Sequence, residues 1–106
     1  MQRLNEWAAS WEAKDVDRYL SFYSPEFRSD RGAADAWKAQ RRALISKKGD
    51  IGVKLEEVRA LPLAPDRVET TFKQTYRSDN FNDVTAKALI WQQTGGQWYI
   101  VKETNR

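Results

Sequence analysis

Chemistry in these 106 residues falls to a short set of side chains, because the chain contains neither histidine nor cysteine. Thiolate and imidazole metal sites, cysteine and serine–histidine nucleophiles and imidazole acid/base steps are thereby excluded. Among what remains, Gln74 and Tyr76 are the most informative. From Arg67 to Arg77 polar and apolar residues alternate, with Val68, Thr70, Phe72, Gln74 and Tyr76 on one strand face. Sharing a face with Val68 and Phe72 turns the amide and the hydroxyl inward, where either costs about 1–3 kcal/mol if unpaired. Two arrangements satisfy them: a core hydrogen-bond network involving Arg41 or Lys87, or the polar end of a pocket.

Lys87 shares strand parity with Leu89 and Trp91. It either faces the helices, needing Asp79, Asp83 or a ligand carboxylate beside it, or sits at the sheet rim with its ammonium in water. The rim is the plainer expectation. Arg41, one turn after Trp37, approaches the same region, whereas Arg42 points away. Trp7, Trp11, Tyr19 and Tyr23 recur at helical spacing and read first as core, with polar tips that line any opening left in it. Cationic and amide donors over an aromatic floor suit a carboxylate-bearing ligand. The candidate ligand-binding residues are therefore Trp11, Tyr19, Tyr23, Trp37, Arg41, Gln74, Tyr76, Lys87 and Trp91. The competing expectation is an internally satisfied network in which Asp79 or Asp83 neutralises Lys87. No catalytic residue, metal ligand or cofactor is assigned.

The elements that must position these side chains follow from periodicity. Leu4, Trp7, Ala8 and Trp11 form one helical stripe over about residues 1–14, and Asp15 can cap a second helix, 15–23, carrying Val16, Tyr19, Leu20 and Tyr23. Ser24-Pro25 ends it, Phe27 lies in a short extended piece, and a third helix spans about 33–48 with Ala36, Trp37, Ala43, Leu44 and Ile45. After Gly49-Asp50 the period falls to two. Ile51, Val53, Leu55 and Val58 alternate, Pro62 and Pro65 bracket a turn, and strands follow over 67–77, 84–94 and 98–103, the last pair joined at Gly95-Gly96. Three helices followed by an antiparallel sheet make an α+β class, and the absence of repeats or linkers places all of 1–106 in one domain.

Eighteen basic and fifteen acidic residues give a net charge of +3, concentrated in 28–54, where eight basic residues face three acidic ones. That stretch (Arg28, Arg31, Lys38, Arg41, Arg42, Lys47, Lys48 and Lys54) is a short helix with its turns and lacks interleaved aromatics beyond Trp37, so it reads as a solvated face and not a nucleic-acid surface. No apolar run approaches a membrane span of about 20 residues, and the N-terminus is an amphipathic helix pattern, not a signal peptide.

An Asp15-x-Asp17-x-Tyr19-x-x-x-Tyr23 phrase after a first helix, a third helix, and long strands closing in Gly96-x-Trp98-x-Ile100 resemble the nuclear-transport-factor-2-like superfamily. More narrowly, Trp7, Trp11, Asp15, Tyr19, Tyr23, Phe27, Trp37, Arg41, Ile45, Phe72-x-Gln74-x-Tyr76-x-Ser78, Asp83 and Lys87 are similar to the C-terminal domain behind L,D-transpeptidase-like or L,D-carboxypeptidase domains of cell-shape-determining envelope proteins. The resemblance implies a cone-shaped fold whose curved sheet wraps the helices and leaves a pocket at its wide end. It also implies a bacterial protein of the periplasm or cell envelope if such a parent is present, and a cytoplasmic one otherwise. Its role would be that of a non-catalytic accessory binding or assembly domain near peptidoglycan remodelling, with a carboxylate-bearing small molecule or peptidoglycan fragment as partner. Ketosteroid isomerases of this superfamily use a tyrosine and inward acids. By spacing, the tyrosine falls here at Trp7 and the base near Asp30 or Arg31, and the inward row of 67–77 holds no carboxylate. An isomerase or cyclase resting on Asp30 and Tyr76 is the alternative, and a homodimerisation module through the open sheet face is another.

Overall fold

Why the first helix stops where it does can be read from its backbone. In a computed structural model, which describes residues 2–29, 34–46, 49–78 and 81–105, α1 (Gln2–Glu12) buries Leu4, Trp7, Ala8, Ser10 and Trp11 along one stripe. Lys14 then adopts a left-handed φ of 59°, its N–H bonding the Trp11 carbonyl while the Asp15 N–H reaches the Ser10 carbonyl. This is a Schellman closure with lysine where glycine is usual. Asp15 at once caps α2 (Val16–Ser21), its carboxylate accepting from the Arg18 N–H, as the sequence predicts.

The second helix is shorter than its periodicity suggests. Tyr23 belongs instead to β1 (Tyr23–Ser29), which runs through Ser24-Pro25 and lies parallel to β5. The chain then forms α3 (Ala34–Ile45), β2 (Gly52–Ala64), β3 (Arg67–Ser78), β4 (Phe81–Thr94) and β5 (Gln97–Asn105). The sheet order is β1-β5-β4-β3-β2, with every pair antiparallel except β1·β5. The α+β architecture thus stands, and the sheet is mixed because the extended piece around Phe27 docks on β5. Gly95 and Gly96, at φ 59° and 81°, supply the tight β4–β5 hairpin. Pro62 does not bracket a turn but lies within β2, an edge strand, where its missing N–H costs no ladder bond.

Several irregularities reset strand parity, among them an extra residue, Leu63, between Pro62 and Ala64 of β2. In β2, Glu56 opposes Lys73 and Arg59 opposes Thr71, so one residue is extra, and Glu57 takes a φ of 53°. In β5, Ile100 opposes Trp91 while Lys102 opposes Ile90, leaving Val101 as the additional residue. Each bulge moves the following residues to the opposite face from strict alternation. The core between helices and sheet gathers Leu4, Trp7, Trp11, Tyr19, Phe22, Phe27, Trp37, Ile45, Phe72, Leu89, Trp91 and Ile100. On α3 only Trp37 and Ile45 of the expected apolar residues are buried; Ala36, Ala43 and Leu44 face out. Arg41, between Trp37 and Ile45 at four-residue steps, therefore points inward.

Candidate functional site

Glu103 is the centre of the polar core. It follows the Val101 bulge and opposes Leu89, so it shares the inner face. Tyr23, at the start of β1, donates its hydroxyl to Glu103 Oε1 at 2.7 Å. Lys87 Nζ and an Arg41 guanidinium nitrogen both donate to Oε2, at 3.0 and 3.1 Å. Tyr23 Oη in turn lies 3.1 Å from Tyr19 Oη and accepts from the Trp7 indole at 3.1 Å. Three elements, α3, β1 and β4, thus deliver one group each to a single carboxylate carried by β5.

Aromatic rings enclose this cluster. The Arg41 guanidinium carbon lies 5.8 Å from the Trp11 ring centre and 5.2 Å from that of Trp37, and Lys87 Nζ lies 5.7 Å from Trp11. Tyr76 stacks on the other contact of Trp11 at 5.3 Å, and Trp37 packs on Tyr23 at 4.5 Å. Side-chain exposure grades across the site: 6% for Lys87, 9% for Glu103 and 22% for Arg41. Arg41 and the half-buried Tyr76 mark the side that meets solvent.

Electrostatics follow from this enclosure. Burial pushes the Glu103 carboxyl up, but Lys87, Arg41 and the Tyr23 hydroxyl outweigh it and hold the group below the ordinary carboxylate range. Burial, aided by Arg41, lowers the Lys87 ammonium despite Glu103. Burial raises the phenols of Tyr19 and Tyr23, which stay protonated. Two cations on one carboxylate leave one positive charge in excess among the described residues of this cluster.

Of the nine residues singled out from sequence, the structure brings Trp11, Tyr19, Tyr23, Trp37, Arg41, Tyr76 and Lys87 into this bonded and stacked assembly. Gln74 lies on the same inner row, opposite Thr85 and flanked by Phe72 and Tyr76, yet its buried Oε1 has no hydrogen-bond partner among the described residues. The expected bonding of Gln74 to Arg41 or Lys87 does not form. Trp91 is fully buried and spends its indole N–H on Thr70 Oγ1 at 3.0 Å. Lys87 does not sit at the rim: it is buried and paired internally. Asp83 does not neutralise it by contact, since Asp83 is exposed and accepts from Thr85 Oγ1. Arg42 points away as expected, pairing with Asp17 at the surface. Asp30, Arg31 and Asp79 lie outside the described residues.

Sequence reasoning missed Glu103. Glu103 is the one acid on β5, but strict alternation from Trp98 and Ile100 turns position 103 outward, and the acids considered for Lys87 were Asp79 and Asp83. Among the described residues no group of three or more potential metal ligands occurs, and no helix is long and apolar enough to cross a membrane.

Comparison with solved structures finds the same fold in larger proteins. Bd1075 of Bdellovibrio bacteriovorus superposes with a TM-score of 0.90 at 24% identity, over 98% of this chain and 37% of that one. A variant of the helical cell shape determining protein Pgp2 of Campylobacter jejuni gives 0.85 at 23% identity, over 95% and 37%. The association domain of C. elegans CaMKII gives 0.78 at 10% identity, over 98% and 89%. This chain spans little more than a third of the length of the first two. No curated protein matches it in sequence. The profile of the Cds6 C-terminal NTF2-like domain matches residues 1–104, and the chain belongs to that family.

Proposed function

We propose that this chain is a non-catalytic binding domain of a bacterial envelope protein concerned with peptidoglycan, and that it captures a carboxylate-bearing ligand at Arg41. The observation that carries the reading is the surplus cation: Arg41 and Lys87 share one Glu103 oxygen. Arg41, clamped between Trp11 and Trp37, is the more exposed of the two. A guanidinium has five N–H donors in a planar fork, and Glu103 occupies only part of it. A second carboxylate on the free edge would balance the charge. Likeness at 25% identity to a helical cell shape determining protein supports a cell-envelope setting, in which a peptidoglycan fragment would supply that carboxylate.

Catalysis of the isomerase kind fits the site poorly. A general base needs a free lone pair and a pKa near working pH. Glu103 spends three of its four acceptor positions on Tyr23, Lys87 and Arg41 and is held as a weak base by its cations.

The test is titration of stem-peptide fragments against tryptophan fluorescence, since two indoles flank Arg41. Saturable quenching is expected, weakened about 10-fold or more by Arg41→Gln, as loss of a charge-assisted pair contributes roughly 1.5–3 kcal/mol. A flat titration with the unaltered domain, or binding indifferent to Arg41→Gln, overturns the reading.

A second reading, self-association, is favoured by one observation. Val58, Leu61 and Leu63 on β2 and Phe81 and Val84 on β4 are exposed apolar side chains, from 43% to 58% accessible. Sedimentation at several concentrations tests it: a dimer that dissociates on Leu61→Lys supports it, and a monomer at every concentration refutes it.

A further inference from the structure

The side-chain oxygen of Gln74 has no hydrogen-bond partner among the described residues. Gln74 is 4% exposed and its Oε1 is fully buried without a donor. Lys87 opposes Phe72 in the β3–β4 ladder, and Gln74 lies two residues along the same face. Diagonal neighbours on one sheet face stand about 7–8 Å apart, within the span of a small molecule that also touches the cations. Next on the row comes Tyr76, which packs on Trp11 beside Arg41. Lys87, a strong donor on that face, is already drawn to Glu103.

We propose that Gln74 selects ligands carrying an N–H donor next to their carboxylate, as the last residue of a peptide with a free C-terminus does. The inference rests on the carboxylate site at Arg41 and names the ligand class for it. A ligand held by its carboxylate at Arg41 and lying along the inner row of β3 would bring the atom attached to its α-carbon to Gln74 Oε1. An amide N–H there donates. An ester oxygen cannot, and would set two acceptors against each other in a desolvated space. A purely structural Gln74 would have its oxygen bonded by the protein, as the Tyr19, Tyr23 and Trp7 polar groups are. Buried polar atoms left without a partner are uncommon in folded proteins.

Three ligands separate the possibilities by calorimetry with the intact domain: acetyl-alanyl-alanine, its C-terminal amide, and its ester analogue in which lactate replaces the last alanine, each in both configurations. The acetyl dipeptide should bind in at least one configuration, and the C-terminal amide should not. The ester should bind about 10-fold or more weakly, in line with the cost of a buried acceptor left unpaired. Gln74→Leu should reduce that difference to less than about 2-fold while leaving the need for a carboxylate, because the acceptor that discriminates is gone. It should also raise the melting temperature of the free domain, which shows that the variant folds. Equal binding of amide and ester analogues in the unaltered domain, with the C-terminal amide still excluded, overturns the Gln74 role and leaves the carboxylate site standing. Binding of the C-terminal amide as tight as the acid, or no binding of any of the three, overturns both. A Gln74→Leu variant that keeps the preference, or melts lower, assigns the oxygen to an internal water and overturns the selection role.

Discussion

Glu103→Gln tests the central claim that one carboxylate organises the polar core. In the native domain Glu103 accepts from Tyr23, Lys87 and Arg41 at 2.7, 3.0 and 3.1 Å. The amide is nearly isosteric, so the change creates no cavity. It leaves two buried cations facing a neutral group that also presents N–H donors. Removing one partner of a buried ion pair costs about 3–5 kcal/mol, because the remaining charge stays desolvated. A domain of this size has a total stability of roughly 5–15 kcal/mol, and each kcal/mol moves the melting temperature by about 4–8 °C. A fall of about 15 °C or more is expected. Lys87→Met should cost far less, since Glu103 keeps Arg41 and Tyr23 and the cluster becomes charge-balanced. The double variant Glu103→Gln/Lys87→Met should recover stability relative to Glu103→Gln alone, giving a coupling energy of at least about 1 kcal/mol for groups in one network. Thermal and urea unfolding read all three. A Glu103→Gln domain melting within about 3 °C of the native one, or a Lys87→Met domain losing as much as Glu103→Gln, would refute the reasoning.

Further outcomes are expected. Because Glu103 is held below its ordinary value near 4.5, the folded state binds its proton more weakly than the unfolded chain. Its contribution is then fully present above that value and lost as pH falls through the lower folded pKa; acid unfolding curves that show no loss of stability below pH about 4 would contradict this. Trp91→Phe leaves the buried Thr70 hydroxyl without the indole donor at 3.0 Å, so unfolding should show a loss of about 1–3 kcal/mol. Alanine at Gly95 or Gly96, where φ is 59° and 81° and no atom lies within 4 Å of a new Cβ, should cost roughly 1–2 kcal/mol each from backbone conformation alone; a neutral change would argue against the tight hairpin.

Much of the framework was legible because local rules and tertiary structure agree. The Leu4–Trp7–Ala8–Trp11 stripe, the Asp15 cap, the alternation of 67–77 and the Gly95-Gly96 turn each have a local physical cause, and each is present in the fold. The inward row of β3 and the inward parity of Lys87 with Leu89 and Trp91 were likewise readable, as β3 and β4 pair without interruption from Arg67·Gln92 to Ser78·Phe81. Tyr23 was harder. Its spacing from Tyr19 continues a helix, but the Ile100 N–H captures the Phe22 carbonyl and the chain leaves the helix to join β5. That contact spans most of the sequence, and no local pattern encodes it.

The heart of the site escaped for a sharper reason. Side-chain parity along a strand is a cumulative property, so a single extra residue reverses every later assignment. Trp98 and Ile100 point inward at even positions, and Val101 then adds one residue, so the odd-numbered Glu103 turns inward and Lys102 outward. Without the bulge, Lys102 would face Arg41 and Lys87 from β5, placing a third cation in the core and no acid. Such a cluster could not be buried at any reasonable cost. Charge balance across the inner face therefore carries information that alternation does not. Two inward cations, Arg41 and Lys87, call for an anion; Asp83 shares the Lys87 face of β4 but lies exposed toward its end, and the one carboxylate of β5 supplies the contact instead. The need for a counter-charge beside the buried cations favours the bulge, and the bulge places Glu103.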